Sequence, residues 1–204
     1  MTLISVTAFD PAITDMGWAN LSYDTETKTF DIIEVGTIDG TKLSRGFPKF
    51  AKMFPSSFRT AYRLKDVVTG ILSGFKPHYV SSEGVYSGRF PQAGFTLTIV
   101  VFVIRNVCYD LMEQAPFIIA PSETKLVVTG RGGAKKPDIK KSITTRKDIT
   151  FSMPGRKITE LTEHEYDAVG HGMAFCTLRL KTLLEEEAKV VELANVKALK
   201  KKKK

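Results

Sequence analysis

The spacing of apolar and polar positions along the chain changes period several times, and each change marks an element. Residues 3–9 are a short apolar run, residues 18–23 alternate after Gly17, and residues 30–38 alternate again after the turn-like stretch 24–28. Three strands follow from this, most simply an antiparallel meander. Across residues 56–75 the apolar side chains Phe58, Tyr62, Leu64, Val67, Val68, Ile71 and Leu72 recur at helical spacing, and Gly74 with Pro77 closes the helix. Residues 78–82 read as a short buried strand that ends at Glu83.

A loop over residues 84–94, containing Gly88 and Pro91, leads into residues 95–112, a mostly apolar stretch long enough for a buried helix. Residues 117–120 form a fifth short strand. Pro121 opens a short helix that Gly130 ends, and the basic, Gly-rich stretch 130–136 precedes a helix expected over 137–149. From Thr162 onward the pattern is one long helix, interrupted by Gly170 and Gly172 and running into a lysine tail. The element order predicts an α/β domain with a mixed five-stranded sheet, antiparallel in its first three strands and covered by helices on both faces. That order matches the ribonuclease-H-like plan.

Composition sharpens the picture. At 204 residues, 43% apolar and 25% charged, the chain has material for one compact core, which excludes a disordered or fibrous protein. The expected organisation is a domain over residues 1–178 and a helical, basic extension over 179–204. Cys108 and Cys176 lie in apolar helical stretches without metal-type spacing, so they read as buried small hydrophobes in a reducing cytoplasm. The most apolar stretch, residues 98–104, is shorter than a bilayer span and is followed by Arg105, so no membrane segment is expected.

The net charge of +8 is unevenly spread. Residues 1–50 carry 4 Lys/Arg against 7 Asp/Glu, whereas residues 125–147 carry 8 against Asp138 alone. Clustered cations of this kind, with the tail Lys200 to Lys204, suit a polyanion binder, although a solvated helix face accounts equally well for the charge alone.

The acids are placed more tellingly. Asp10 ends the first apolar strand just before Pro11, so the chain leaves the sheet there and the carboxylate can face a crevice. Glu83 holds the equivalent place at the end of the fourth strand. His164 and Asp167 stand three residues apart at the start of the last helix, about 60° apart around its axis, and can address one point. Their position near the positive helix end is expected to favour an ionised Asp167. Singly, each acid reads as a cap or a surface charge. Together, oxygen-rich ligands with one imidazole suit Mg²⁺ or Mn²⁺ and point to metal-dependent phosphoryl transfer.

These residues also carry a family resemblance. The run Phe9-Asp10-Pro11 through Gly17-Trp18, the strand Val80 to Glu83 with Tyr86 three residues on, Pro121 with Lys125 and Gly130 ahead of a basic loop, and His164-x-x-Asp167-Ala168 resemble, in order and spacing, four motif blocks of the RuvC family of Holliday-junction resolvases. The resemblance covers most of residues 4–176. It implies a ribonuclease-H-like endonuclease that cuts four-way junctions by paired symmetric nicks, leaving 5′-phosphate and 3′-hydroxyl ends. Two Mg²⁺ ions, with Mn²⁺ as a substitute, would be held by Asp10, Glu83, His164 and Asp167. Some family members carry Asp where His164 stands, so His164 is either a ligand or a proton shuttle. Lys125 would neutralise the scissile phosphate. Tyr86 would probe the junction centre with Phe90 and Arg89 beside it, while Arg131, Lys135, Lys136, Lys140 and Lys141 would contact the backbone. Paired nicks call for a homodimer, with the helix at 95–112 as candidate interface; a fully buried central helix explains that stretch equally well.

Overall fold

The structure, a computed structural model, describes residues 3–45, 53–85 and 91–189, with no side-chain description for 91–93. The meander forms as expected. Strands β1 (Leu3–Asp10), β2 (Asp15–Asp24) and β3 (Phe30–Asp39) pair antiparallel, with a register shift between Asn20 and Leu21. A one-turn helix α1 (Gly40–Leu43) and the long α2 (Ser56–Phe75) come next, the latter ending on Lys76 in the left-handed conformation. Then follow β4 (Tyr79–Glu83), α3 (Pro91–Met112), β5 (Phe117–Ile119), α4 (Pro121–Thr129), α5 (Lys136–Thr145), β6 (Ile149–Phe151) and α6 (Glu163–Leu178).

The sheet has six strands in the order β5-β4-β1-β2-β3-β6, one more than expected. The stretch read as a helix over 137–149 stops at Thr145, and Ile149–Phe151 pairs parallel with Phe30–Ile32 of β3. Three residues have no period to read; their strand character comes from the open edge of β3. The helix expected from residue 95 begins at Pro91.

Period-two alternation sends the strand side chains to two faces. Ile4, Val6, Leu21 and Ile32 pack with Val169, Met173 and Phe175 of α6 and with Ile139 and Ile143 of α5. Phe9, Met16 and Val80 pack on the other side with Leu64, Val68 and Leu72 of α2 and Val100, Ile104 and Val107 of α3. Gly170 and Gly172 do not interrupt α6. An added Cβ at Gly172 would run into Leu21 and stand 3.2 Å from that of Ala8, and one at Gly170 would stand 2.9 Å from Cγ2 of Thr124. These glycines seat α6 directly on β1 and β2 and against α4.

Past Leu178 the chain is again helical over 180–189, with Leu180 buried in the core and Tyr79 donating to Glu187 at 2.8 Å. Both cysteines are free and buried. Helix α3 is not fully buried: Val100, Ile104, Val107 and Cys108 face the core, but Phe95 (62% exposed), Phe102 (60%) and Tyr109 (52%) face outward. Its stretch Gly94–Met112 is long and apolar enough to cross a membrane by length and composition, yet its inner face is part of the core against α2.

Candidate active site

Three elements converge at one end of the sheet. Strands β1 and β4 are parallel neighbours with Phe9 opposite Ser82, so the next residues, Asp10 and Glu83, end side by side. The start of α6 is the third element. Thr162 caps it, its hydroxyl accepting from the Glu165 amide at 3.2 Å, while the Glu165 carboxylate accepts from the Thr162 amide at 2.6 Å. Arg156 grips the same carboxylate through two hydrogen bonds of 2.9 and 2.6 Å. Burial opposes ionisation of Glu165, but Arg156 and the Thr162 amide outweigh it and hold its pKa below the usual range. The helix start is thereby fixed in angle and register.

Gly17 sets its depth. The pairing partner of Asp10 on β2, it lies in extended strand, and the backbone carbonyl of His164 rests where a Cβ would be. His164 is thus brought over β1, where its Nδ1 lies 2.9 Å from Oδ2 of Asp10.

Asp10, Glu83, His164, Asp167, Lys125 and Lys136 line one cleft of about 230 Å³. A larger hollow, about 660 Å³, lies at the opposite end of the sheet among Tyr23, Phe30, Leu180 and Leu184, where Arg146 and Asp148 neutralise each other at 2.5 Å. The smaller cleft gathers three carboxylates, two imidazoles and two lysines. Asp10 is raised to about 6, chiefly by burial and against the hydrogen bond from His164. Asp167 is also raised, by burial first, with Lys136 pulling the other way. It lies past the first helical turn, where the helix-end field expected to favour its ionised form has faded, and burial wins. Glu83 goes the other way: burial opposes its ionisation, but the hydrogen bond and charge of His171, with Asp10 and Lys125, bring it below the usual range.

His171 is the residue that sequence reasoning missed. It lies four positions past Asp167 and seven past His164, on the same helical face, a spacing that was open to inspection. It is 2% exposed, its Nδ1 is 2.8 Å from the Thr124 hydroxyl, and its Nε2 is 3.4 Å from Oε2 of Glu83. The donor atoms of Asp10, Glu83 and His171 all lie within 4.8 Å of one another. A coordination sphere of radius about 2.1 Å spans roughly 4 Å, so small rotations bring these donors to a common centre. A buried carboxylate, a half-buried one and a buried imidazole, with ionisation of Asp10 opposed by burial, fit a divalent cation.

The fold has known counterparts. Comparison with known protein families and with curated proteins finds no match. Among solved structures, Thermus thermophilus RuvC in complex with Holliday junction substrate superposes with a TM-score of 0.66 at 17% identity, over 85% of this chain and 93% of that one. The yeast mitochondrial Holliday junction resolvase Ydc2 superposes at 0.56 with 14% identity, over 83% and 78%. Fowlpox virus resolvase bound to Holliday junction DNA superposes at 0.52 with 13% identity, over 83% and 97%. The fold is RuvC-like.

Around the cleft of this RuvC-like fold the basic residues are arranged unequally. Lys125 lines the cleft from α4. Lys136 lies at its rim, 2.6 Å from Glu163 and 3.6 Å from Asp167. Lys135 caps α5, Lys140 lies over the ring of Tyr166 at 5.5 Å, Lys141 is exposed, and Arg131 pairs weakly with Asp138 at 3.6 Å. Tyr86, Arg89 and Phe90 lie outside the described residues, as does the tail Lys200 to Lys204.

Proposed function

We propose that this chain is a divalent-metal-dependent DNA endonuclease that resolves four-way junctions by paired nicks, leaving 5′-phosphate and 3′-hydroxyl ends. The observation that carries it is the cleft itself: Asp10, Glu83 and Asp167 brought together from β1, β4 and α6, with Lys125 and Lys136 beside them, on a fold shared with resolvases that act on Holliday junctions. A divalent cation in this cleft would supply a more acidic bound water and a counter-charge for the phosphate.

The chain's own groups do the rest. Asp10 is central, because it borders both Glu83 and His164; Glu83 would complete the holding group on one side and Asp167 on the other. The hydrogen bond from His164 orients the Asp10 carboxylate and leaves Nε2 free to move a proton at the cleft mouth. Lys125, already close enough to favour the ionised form of Glu83, would balance charge on the scissile phosphate. Lys136 lines the cleft and Lys140 and Lys141 follow it on α5, and the three would position the backbone without reading bases.

Two nicks require two sites, and α3 offers the surface for a second copy of this chain. Phe95, Phe102 and Tyr109 recur every seven residues and so form one exposed stripe on its outer face. The deciding experiment incubates the protein with a synthetic immobile four-way junction and with linear duplex, with and without Mg²⁺ or Mn²⁺. Symmetric, religatable nicks confined to the junction are expected. Equal cutting of forks and flaps would make it a general branched-DNA nuclease, and binding without cutting in either ion would overturn the enzymatic reading.

A further inference from the structure

His171 is a buried imidazole with both nitrogens addressed. Nδ1 meets the Thr124 hydroxyl at 2.8 Å, and Nε2 points at the Asp10 and Glu83 carboxylates. The packing that makes this possible is specific. Only a glycine at 170 lets α4 come close enough to α6 for Thr124 to reach the ring, since a Cβ there would press on the Thr124 methyl at 2.9 Å. When Nε2 gives up its proton to make room for a cation, Nδ1–H donates to Thr124 and the Nε2 lone pair faces the cleft, the arrangement in which a second partner fixes the tautomer and aim of a metal-binding histidine.

We infer that His171, aimed by Thr124, is a nitrogen donor to the cation held by Asp10 and Glu83, making this a mixed oxygen–nitrogen site that favours a first-row transition ion such as Mn²⁺ over Mg²⁺. This rests on the metal-dependent reading above. Mg²⁺ takes oxygen ligands and keeps much of its water, whereas an imidazole is a good ligand for first-row transition ions. A nitrogen donor therefore adds affinity for Mn²⁺ that it does not add for Mg²⁺. His164 differs, because among the described residues it is the His171 donor atom, with those of Asp10 and Glu83, that falls in one group within 4.8 Å.

The test uses the full chain without DNA. Mn²⁺ alone and Mg²⁺ alone are titrated by calorimetry, and the Mn²⁺-loaded protein is examined by electron spin-echo spectroscopy for directly coordinated ¹⁴N. The wild type is expected to show coordinated nitrogen, and so is His164→Ala. His171→Gln is expected to lose it and to bind Mn²⁺ at least about tenfold more weakly, with Mg²⁺ affinity changed much less. Should His171→Gln fail to fold, Thr124→Val replaces the hydroxyl with a methyl at nearly constant volume; about a tenfold loss of Mn²⁺ affinity is expected, and an unchanged affinity overturns the inference. Mn²⁺ bound without nitrogen, or nitrogen lost in His164→Ala but kept in His171→Gln, overturns the role of His171 while leaving the nuclease reading intact. Failure of the wild type to bind either ion overturns both.

Discussion

One added methyl group at Gly17 should cripple the site while leaving every titratable residue in place. The Cβ of Gly17→Ala would overlap the carbonyl of His164 and stand 3.0 Å from the His164 Cβ. Carbon–carbon contact is comfortable at about 3.5–4.0 Å, so this pair alone demands an opening of roughly 0.5–1 Å, and the carbonyl demands more. Neither side yields easily. Gly17 is hydrogen-bonded between β1 and β3, and the start of α6 is pinned by Thr162, Glu165 and Arg156. Such overpacking costs about 1–3 kcal/mol, which for a chain of this size lowers Tm by roughly 2–12 °C. The larger effect is on chemistry: lifting His164 and Asp167 off Asp10 by about 1 Å is expected to slow cleavage by about a hundredfold. The assay is single-turnover cleavage of an immobile four-way junction, with binding followed by gel shift and unfolding by thermal melt. Gly70→Ala is the control, since an added Cβ there meets nothing within 4 Å and replaces an exposed helical glycine, which should stabilise by up to about 1 kcal/mol without touching activity. Cleavage by Gly17→Ala within threefold of the wild type, with Tm unchanged, would refute the claim that this close approach sets the depth of α6.

Further expectations come from the same geometry. Because Asp10 is raised from 3.8 to about 6, the stability its proton confers on the metal-free protein is complete below about pH 4 and lost as pH rises through 6. Asp10→Asn should therefore stabilise the metal-free protein at pH 7.5, by of order 3 kcal/mol at most, and so raise its melting temperature, while abolishing cleavage and preserving junction binding; a lower melting temperature would contradict the burial argument. Arg156→Met strands the Glu165 carboxylate, only 3% exposed, and should cost about 3 kcal/mol at pH 7. As Glu165 has a depressed pKa, that penalty should shrink in chemical denaturation as pH falls through its folded pKa, and a pH-independent penalty would assign the loss to packing. Neutralising Lys135, Lys136, Lys140 and Lys141 together should weaken binding to every DNA shape and flatten its salt dependence, whereas unchanged affinity at moderate salt would leave these lysines a solvated face. Phe102→Glu, on the exposed face of α3, should yield a monomer by light scattering that binds DNA but no longer makes paired nicks, and a persisting dimer would move the interface elsewhere.

Much of this was legible in the linear pattern, and what was not has identifiable causes. Strand alternation in the meander, the helical spacing of α2 and the placing of Asp10 and Glu83 at strand ends are local properties, because side-chain period and chain-breaking residues act over a few positions. So is the His164 to Asp167 spacing, which α6 turns toward the cleft. Other features exist only through contacts between distant segments. Ile149–Phe151 is a strand because β3 has an open edge beside it. Gly17 and Gly170 matter because a helix comes to rest against each, something no local pattern records. His171 reads in sequence as one polar residue among the apolar positions of a buried helix; it becomes a candidate ligand because Thr124, 47 residues earlier, meets one nitrogen and Glu83 lies near the other. The pKa order was likewise decided in three dimensions. Helix position alone favoured an ionised Asp167, but depth in the cleft raises it along with Asp10, while Glu83, near His171 and Lys125, is lowered. Local pattern sufficed to put Asp10, Glu83, His164 and Asp167 at the ends of their elements; how deeply each lies, and which charges it faces, was settled by packing, because burial and Coulomb interactions depend on distance through space rather than along the chain.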